Sequence, residues 1–503
     1  MFGQQPNDSG EWNITTLRRK LDASTQRLLE AKQFLAKLQA EDCRIREELN
    51  AVSSAVMSLP PEILLEIFLF FCESRPMDDV KLLCSEQPPQ FLIGAVCRAW
   101  RHIAWGTTRL WRTIAITFLS KKINSQTRLL GEWIKRSGTS LLDVYLDTEF
   151  LDEANKHYKY EKRFFQPPRA TFAILCAVND RWRKLHTPRF LPLGDYFISG
   201  SVPAPSLQEL FLSNPDADFY YEDMETVDWD LRRSLHLKKL EFDMLSTVGL
   251  KINWQTITHL EIRMIPLDYL RHFSDCKALE SLTIVTGDHN SRDLPRNETN
   301  TPFNLPSLAR LSIYEQHRTI ESILTNLTTP KLKSFSIKPC RDGPDDPVRW
   351  LGTVIQFITR SSCSLTEMDV TNIPVTCVFG LMDHIKTITR FSVLSPSHLP
   401  QDICDTMVEI FDPSHHPTVL PELEELTLKG EFSCDIDTLL DMIHSRVSPP
   451  LPDDGHPPVK KIRKINMLYH NDWFTDEISP EVFELDSLSM STGTSITMTL
   501  WEG

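Results

Sequence analysis

LESLTI at residues 279–284, LARLSI at 308–313 and LKSFSI at 332–337 are three copies of one six-residue pattern, apolar-x-x-apolar-x-apolar. Upstream it recurs as ITHLEI at 257, LKKLEF at 237, LQELFL at 207 and LLDVYL at 141. Downstream it returns as LTEMDV at 365, ITRFSV at 388, LEELTL at 423 and IRKINM at 462. Trp182-Arg183-Lys184-Leu185 supplies a copy in the long gap between 141 and 207. The last four residues of each copy alternate as in a strand: Leu210 and Leu212 point one way, Glu209 and Phe211 the other. Helical periodicity follows in the stretches Leu267 to Phe273, Ile320 to Leu327, Trp350 to Ile358 and Ile436 to Ile443. A strand, a turn and a helical return, repeated, coil the chain into a stack of parallel strands. No unit of such a stack buries its apolar face alone.

Successive copies from 207 onward start 20 to 39 residues apart, and pattern and spacing together resemble the strand segment of leucine-rich repeats. The resemblance implies an irregular α/β horseshoe with parallel strands and helices, spanning residues 117–503. Such repeats carry Asn or Cys three residues after the last apolar strand position. Here Pro215, Leu245 and Gly287 stand there, so no asparagine ladder is expected. The outward strand positions form a candidate surface for an unknown protein substrate. Its members include Phe211, Glu241, His259, Glu261, Arg310, Asp369 and Arg390, mixed in sign and mostly polar. Residues 215–230, PDADFYYEDMETVDWD, combine seven acidic residues with Phe219, Tyr220, Tyr221 and Trp229. They read either as a grip for a Lys- or Arg-rich segment, with Tyr220 and Tyr221 as anchors, or as a solvated insertion.

Leu59 to Trp111 has a different character. It opens LPPEILLEIFLFF and closes VCRAWRHIAWGTTRLW. Pro60 and Pro61 suit a helix start, and Ile63, Leu64, Ile67, Phe68 and Phe71 make one broad apolar stripe. A second helix is expected to carry Val96, Trp100 and Ile103 on one side, with Arg98 and Arg101 turned away. Leu-Pro-x-Glu-Ile, Ile-Phe, then Val-Cys-x-x-Trp-Arg resembles an F-box, here with an insert from about Glu73 to Pro89 like those of mushroom-type (basidiomycete) fungal F-box proteins. That family docks a small all-α helical bundle on the Skp-type adaptor of cullin–RING ubiquitin ligases. The resemblance carries the adaptor-binding role to Leu59, Pro60, Ile63, Leu64, Ile67 and Phe68, with support from Val96, Cys97 and Trp100.

Residues 14–56 read as one long helix. Leu17, Leu21, Leu28, Ala31, Leu35, Leu38, Ile45, Leu49, Val52 and Val56 fall on a and d positions of one heptad frame, interrupted by Ser24 and Asp42. A coiled coil with self-association and an amphipathic helix folded back on its own chain fit equally. Residues 1–13 are expected to be disordered, and the F-box domain to run from 57 to 116.

A net charge of −14 over 503 residues argues against a general nucleic-acid binder. No apolar run is long enough to span a membrane, and the N-terminus lacks a secretory pattern. Eleven cysteines without a CxxC pair read as reduced thiols of a cytoplasmic or nuclear protein. No GxSxG, Walker A, HExxH or GxGxxG motif occurs, and His415-His416 has no ligand partner at metal-binding spacing, so no catalytic, cofactor or metal site is expected. The resulting expectation is a non-catalytic substrate-recognition subunit of a Skp–cullin–F-box type ubiquitin ligase. The alternative is a protein-interaction scaffold outside any ligase.

Overall fold

The computed structural model describes residues 14–53, 56, 59–73, 88–117, 123–147, 169–188, 204–213, 229–243, 250–263, 273–285, 302–314, 317–339, 346–395, 401–430, 435–449, 458–469 and 480–500. They form two compact units, divided between Trp111 and Arg112.

Among its described residues, the first unit contains four α-helices: α1 (Ile14–Ser53), α2 (Pro61–Glu73), α3 (Pro89–Val96) and α4 (Arg98–Gly106). Pro61 begins α2, and the amides of Ile63 and Leu64 donate to the Pro60 carbonyl at 3.0 and 3.2 Å. Proline fits there because its missing N–H would have had no intrahelical acceptor. Leu64, Phe68 and Leu69 of α2 are buried, as are Ile93 of α3, Ala104 of α4 and the turn residues Leu110 and Trp111. Phe68 lies 4.9 Å from the Trp100 ring, and Trp105 meets Trp111 edge-on at 5.5 Å. A Cβ on Gly94 would stand 1.9 Å from the Trp105 ring, so only glycine lets α3 and α4 approach this closely. The single second helix expected across Val96 and Trp100 is two. Cys97 between them is extended (φ −156°, ψ 172°), and its Sγ accepts the Trp100 amide as the N-cap of α4. Val96 therefore ends one helix while Trp100 belongs to the next.

The second unit is a solenoid. Its strands are β1 (Thr113–Thr117), β2 (Leu142–Asp147), β3 (Trp182–Pro188), β4 (Glu209–Ser213), β5 (Trp229–Leu231), β6 (Lys239–Asp243), β7 (Leu250–Ile252), β8 (His259–Arg263) and β9 (Ser281–Val285). They continue as β10 (Phe303–Asn304), β11 (Arg310–Tyr314), β12 (Leu327–Thr328), β13 (Ser334–Ile337), β14 (Glu367–Thr371), β15 (Arg390–Ser395), β16 (Glu425–Gly430), β17 (Lys464–Tyr469) and β18 (Ser495–Leu500). Among the described residues, fourteen strands form one sheet in the order β1-β2-β3-β4-β6-β8-β9-β11-β13-β14-β15-β16-β17-β18, each pair parallel. Corresponding residues stack strand on strand. Leu240, Leu260, Leu282, Leu311 and Phe335 form one row, and Phe242, Ile262, Ile284, Ile313 and Ile337 the next.

Return segments complete each coil. Helices α5 (Ile123–Arg136) and α6 (Arg169–Cys176) pack together near the first strands. Further on, α7 (His317–Asn326), α8 (Pro347–Ser361), α9 (Val375–Met382), α10 (Gln401–Phe411), α11 (Ile436–Val447) and α12 (Pro480–Thr492) each pack on the next. Phe335 of β13 meets Phe357 of α8, and Phe391 of β15 meets Phe411 of α10, so the apolar strand rows face the helices. Two-stranded parallel ladders, β5–β7 and β10–β12, occupy the return side elsewhere. Of the expected helix at Leu267 to Phe273 only buried Phe273 is described, and residues 1–13 and the bulk of the 73–89 insert lie outside the described residues.

Copies of the pattern differ from the sequence reading in three places. Strand β1 lies within the 57–116 stretch assigned to the helical module, because Trp111-Arg-Thr-Ile-Ala-Ile116 is itself a copy of the pattern. Ile114 and Ile116 pair with Val144 and Leu146. In the copy at 141, Leu141 is exposed and Leu142 takes the buried place, with a register irregularity between Leu142 and Asp143. The sheet also continues to β18, where Gly493 stands at the position of the opening apolar residue.

Arg446 is fully buried on α11. Its guanidinium donates to the carbonyls of Phe411 (2.6 Å), Leu420 (3.0 Å) and Val419 (3.0 Å). Desolvation lowers its pKa to about 10, which leaves it charged at neutral pH. Arg446→Met strands three buried acceptors and is expected to cost at least about 3 kcal/mol. Hydrogen exchange should show lost protection in β15, β16 and β17 with β2 to β4 unchanged; unaltered exchange at β16 would contradict this role.

Candidate functional site

Each unit offers one surface. In the first, the described part of α2 turns two sets of apolar residues in different directions. Leu64 and Phe68, assigned to adaptor contact, lie in the unit's own core and serve the packing instead. Ile63 (48% exposed), Ile67 (46%), Phe70 and Phe71 face solvent, as do Leu92 and Val96 (59%) on α3. Leu59 is half-buried and Pro60 exposed at the start of α2; Cys97 and Trp100 are half-buried and hold the α3–α4 corner. Arg101 Nε donates to the Gly94 carbonyl at 2.7 Å, and Trp111 Nε1 to the Ala104 carbonyl at 2.8 Å. The exposed positions Ile63, Ile67 and Phe70 are spaced four and three apart, which is one side of a helix. An apolar side without cover among the described residues is the geometry of a docking face. Sequence reasoning missed Phe70, adjacent to Phe71, and Leu92.

In the second unit, pairing register arranges the outward residues in columns. One runs Tyr145, His186, Phe211, Glu241, Glu261, Thr283, Ser312, Ser336, Asp369, Ser392 and Thr427. The column beside it includes Lys184, Glu209, Lys239, His259, Ser281, Arg310, Ser334, Glu367, Arg390 and Glu425. Phe211, Glu241 and Glu261 thus stand side by side, and His259 is next to them. Arg310 sits further along between Ser281 and Ser334, and Asp369 and Arg390 further still. Tyr220 and Tyr221 lie outside the described residues.

Three charge relations shape this face. Arg263 donates to Glu241 and Glu261, both at 3.1 Å, Lys184 pairs with Glu209 at 2.9 Å, and Arg390 pairs with Glu367. Such pairs on a partly exposed face add little stability and set local potential. Asp143 is buried and receives two hydrogen bonds from Arg183, at 2.8 and 2.5 Å, which tie β2 to β3. Sequence reasoning missed Tyr145 and His186, although the column leads from Phe211 to both. His186 stacks on Phe211 with centroids 3.9 Å apart, and Tyr145 lies 6.2 Å beyond. Tyr145 is buried, so the half-buried His186 and Phe211 are the aromatics that stand beside Glu241 and Glu261 at this end of the face. Toward the other end the column is mainly hydroxyl-bearing, with Ser336 donating to Asp369 at 3.3 Å.

Among the described residues, no group of three or more His, Cys, Asp and Glu is placed to hold a metal ion. Burial raises the thiols of Cys176 and Cys276 to about 12, which makes both poor nucleophiles. No described helix is long and apolar enough to cross a membrane.

No protein-family model and no curated protein matches the chain. Among solved structures it is similar to an internalin (inlF) from Listeria monocytogenes, with 12% identity over 59% of this chain and 77% of that one and a TM-score of 0.29. The parallel strand register by itself defines the solenoid.

Burial lowers the His186 imidazole from 6.5 to about 4. Between those values the unfolded chain takes up a proton on this residue that the folded chain does not, so the His186 contribution to stability falls as pH drops from about 6.5 to about 4 and is constant below. NMR titration should place the His186 midpoint near pH 4. Replacement by phenylalanine should flatten stability over that interval relative to wild type. A midpoint near the ordinary value would contradict the buried stack.

Proposed function

We propose that this chain is a substrate receptor of a Skp–cullin–F-box type ubiquitin ligase. Its first unit docks on a Skp-type adaptor, and the outward face of its sheet holds a protein substrate. The observation that carries the reading is the solvent-facing apolar side of α2 and α3, made by Ile63, Ile67, Phe70, Phe71, Leu92 and Val96. Of these, Ile63, Ile67 and Val96 belong to the ordered Leu-Pro-x-Glu-Ile, Ile-Phe, Val-Cys-x-x-Trp-Arg series, and Phe68 of the same series lies in the core. The same sequence therefore supplies both a fold and a docking side, with Leu64, Phe68 and Trp100 in the first role and Ile63, Ile67 and Val96 in the second.

The mechanism is proximity. An adaptor anchored on α2 and α3 ties the chain to the ligase, and the sheet face raises the effective concentration of a substrate lysine near the loaded ubiquitin-conjugating enzyme. The chain itself makes and breaks no covalent bond. Stacked aromatics beside Glu241 and Glu261 favour a partner segment that combines an apolar or aromatic side chain with Lys or Arg.

Co-purification of the full chain with a Skp-type adaptor tests the first contact. Wild type should give a 1:1 complex, and an Ile63→Asp, Ile67→Asp double variant should lose it while keeping its circular dichroism, since both side chains are about half exposed. A folded wild type that captures no adaptor removes the ligase reading. For the second contact, Phe211→Ala with Glu241→Lys should leave adaptor capture intact and reduce ubiquitylation of the proteins that wild type marks. An unchanged set of ubiquitylated proteins moves substrate binding off this face.

A further inference from the structure

Every described side chain of α1 is exposed, including Leu17, Leu21, Leu28, Leu35, Leu38, Ile45 and Leu49 along one stripe. A forty-residue helix with an uncovered apolar seam calls for a partner, and the residues around that seam specify which. We infer that α1 pairs with α1 of a second copy as an antiparallel two-stranded coiled coil in one register.

The register follows from the two interruptions of the seam. Leu21, Leu28, Leu35, Asp42 and Leu49 occupy a positions, and Leu17, Ser24, Ala31, Leu38 and Ile45 occupy d positions. A parallel pair sets like residues against each other, so two Asp42 carboxylates would share one layer. On its flanks Arg27 would face Lys32 of the second copy. An antiparallel pair sets a against d. With Leu28 opposite Leu38, the other layers become Leu21 with Ile45, Leu49 with Leu17, Leu35 with Ala31, and Asp42 with Ser24. Both polar residues of the seam then fall in the same layers, where the serine hydroxyl can donate to the carboxylate. Shifting by one heptad either way places Asp42 against Leu17 or Ala31 and abandons that match.

The flanking charges agree with this register. Among g positions, Lys20 and Arg27 lie in the first half of the helix, and Glu41 and Glu48 in the second. Antiparallel pairing brings g against g, so Lys20 meets Glu48, Arg27 meets Glu41, and Phe34 meets its own counterpart at the centre. The e flank is less favourable, since Lys32 meets its counterpart and Arg18 comes near Arg46. Arg46 is already drawn to Asp42 of its own helix at 2.9 Å, which directs its charge toward the polar layer. Four opposite-charge contacts per pair on the g flank outnumber three like-charge ones on the e flank. In the parallel arrangement the opposite and like pairs cancel.

Sedimentation of the full chain at micromolar concentration should give a dimer. A zero-length carbodiimide cross-linker should then join Lys20 to Glu48. Those residues are 28 positions apart in one straight helix, about 42 Å at about 1.5 Å per residue, so the bond forms only between copies. Leu21→Gln, Leu28→Gln and Leu35→Gln together should give a monomer with the rest of the fold intact, because none of the three is buried. Glu41→Lys with Glu48→Lys should also dissociate the pair, and adding Lys20→Glu with Arg27→Glu should restore it. A monomeric wild type, a dimer without the Lys20–Glu48 cross-link, or a dimer that survives the triple Gln variant overturns the inference.

Discussion

The amide of Lys238 donates to the carbonyl of Gln208, that of Thr258 to Lys238, that of Glu280 to Thr258, and that of Ala309 to Glu280. The series runs on through Lys333, Thr366, Thr389, Glu424 and Arg463 to Ser495. This backbone ladder, at the second position of the copies from Gln208 to Arg463 and at the third at Ser495, aligns each of these strands with the one before. Parallel strands about 4.8 Å apart must then stack equivalent residues. Positions one, four and six become a continuous apolar interior, and positions three and five become two outward columns. The candidate substrate face is therefore a consequence of register: residues about thirty positions apart in the chain are neighbours because their backbones are paired. Loop length between copies can vary without disturbing this, which is why helices and short ladders both serve as returns.

A second recurrent bond precedes many of the strands. The opening apolar residue donates to the carbonyl three residues earlier, as in Leu207 to Ala204, Leu237 to Ser234, Leu279 to Cys276, Leu308 to Leu305, Leu332 to Thr329, Ile388 to Ile385 and Leu423 to Leu420. Each earlier residue in these pairs is buried. The repeat is thus nine residues long, yet only six show in the sequence, because Ser234 and Thr329 break the apolar pattern. Thr329 is accommodated by Ser361, whose hydroxyl accepts its amide at 3.1 Å.

The same logic explains which readings from sequence held. Strand positions from 207 to 467 were legible because burial there follows strict alternation. Leu141 misled because two leucines are adjacent and only the local register irregularity decides which turns inward. Trp111 was hidden by its place at the end of the helical module, and β18 by Gly493. In the first unit, helical spacing gave the apolar residues of α2 but not their division into core and surface. Leu64 and Ile63 are equally apolar neighbours, and only the position of Trp100 relative to Phe68 shows which side is filled. The break at Cys97 was illegible because cysteine is a rare cap and its flanks both favour helix. His186 and Tyr145 escaped notice because neither stands at an apolar position of the six-residue pattern, and only pairing register lines them up with Phe211.

Most of the large apolar side chains exposed among the described residues lie before Cys97, in α1, α2 and α3. The solenoid hides nearly all of its own and presents polar columns instead. In the proposed function, that division gives apolar docking to the first unit and mixed polar and aromatic contacts to the second. Hydrogen–deuterium exchange of the full chain with and without a Skp-type adaptor tests it most directly. Slowed exchange confined to α2 and α3, with β4 to β15 unchanged, is the result expected. An adaptor that leaves α2 and α3 unprotected, or that protects the sheet instead, would contradict the account.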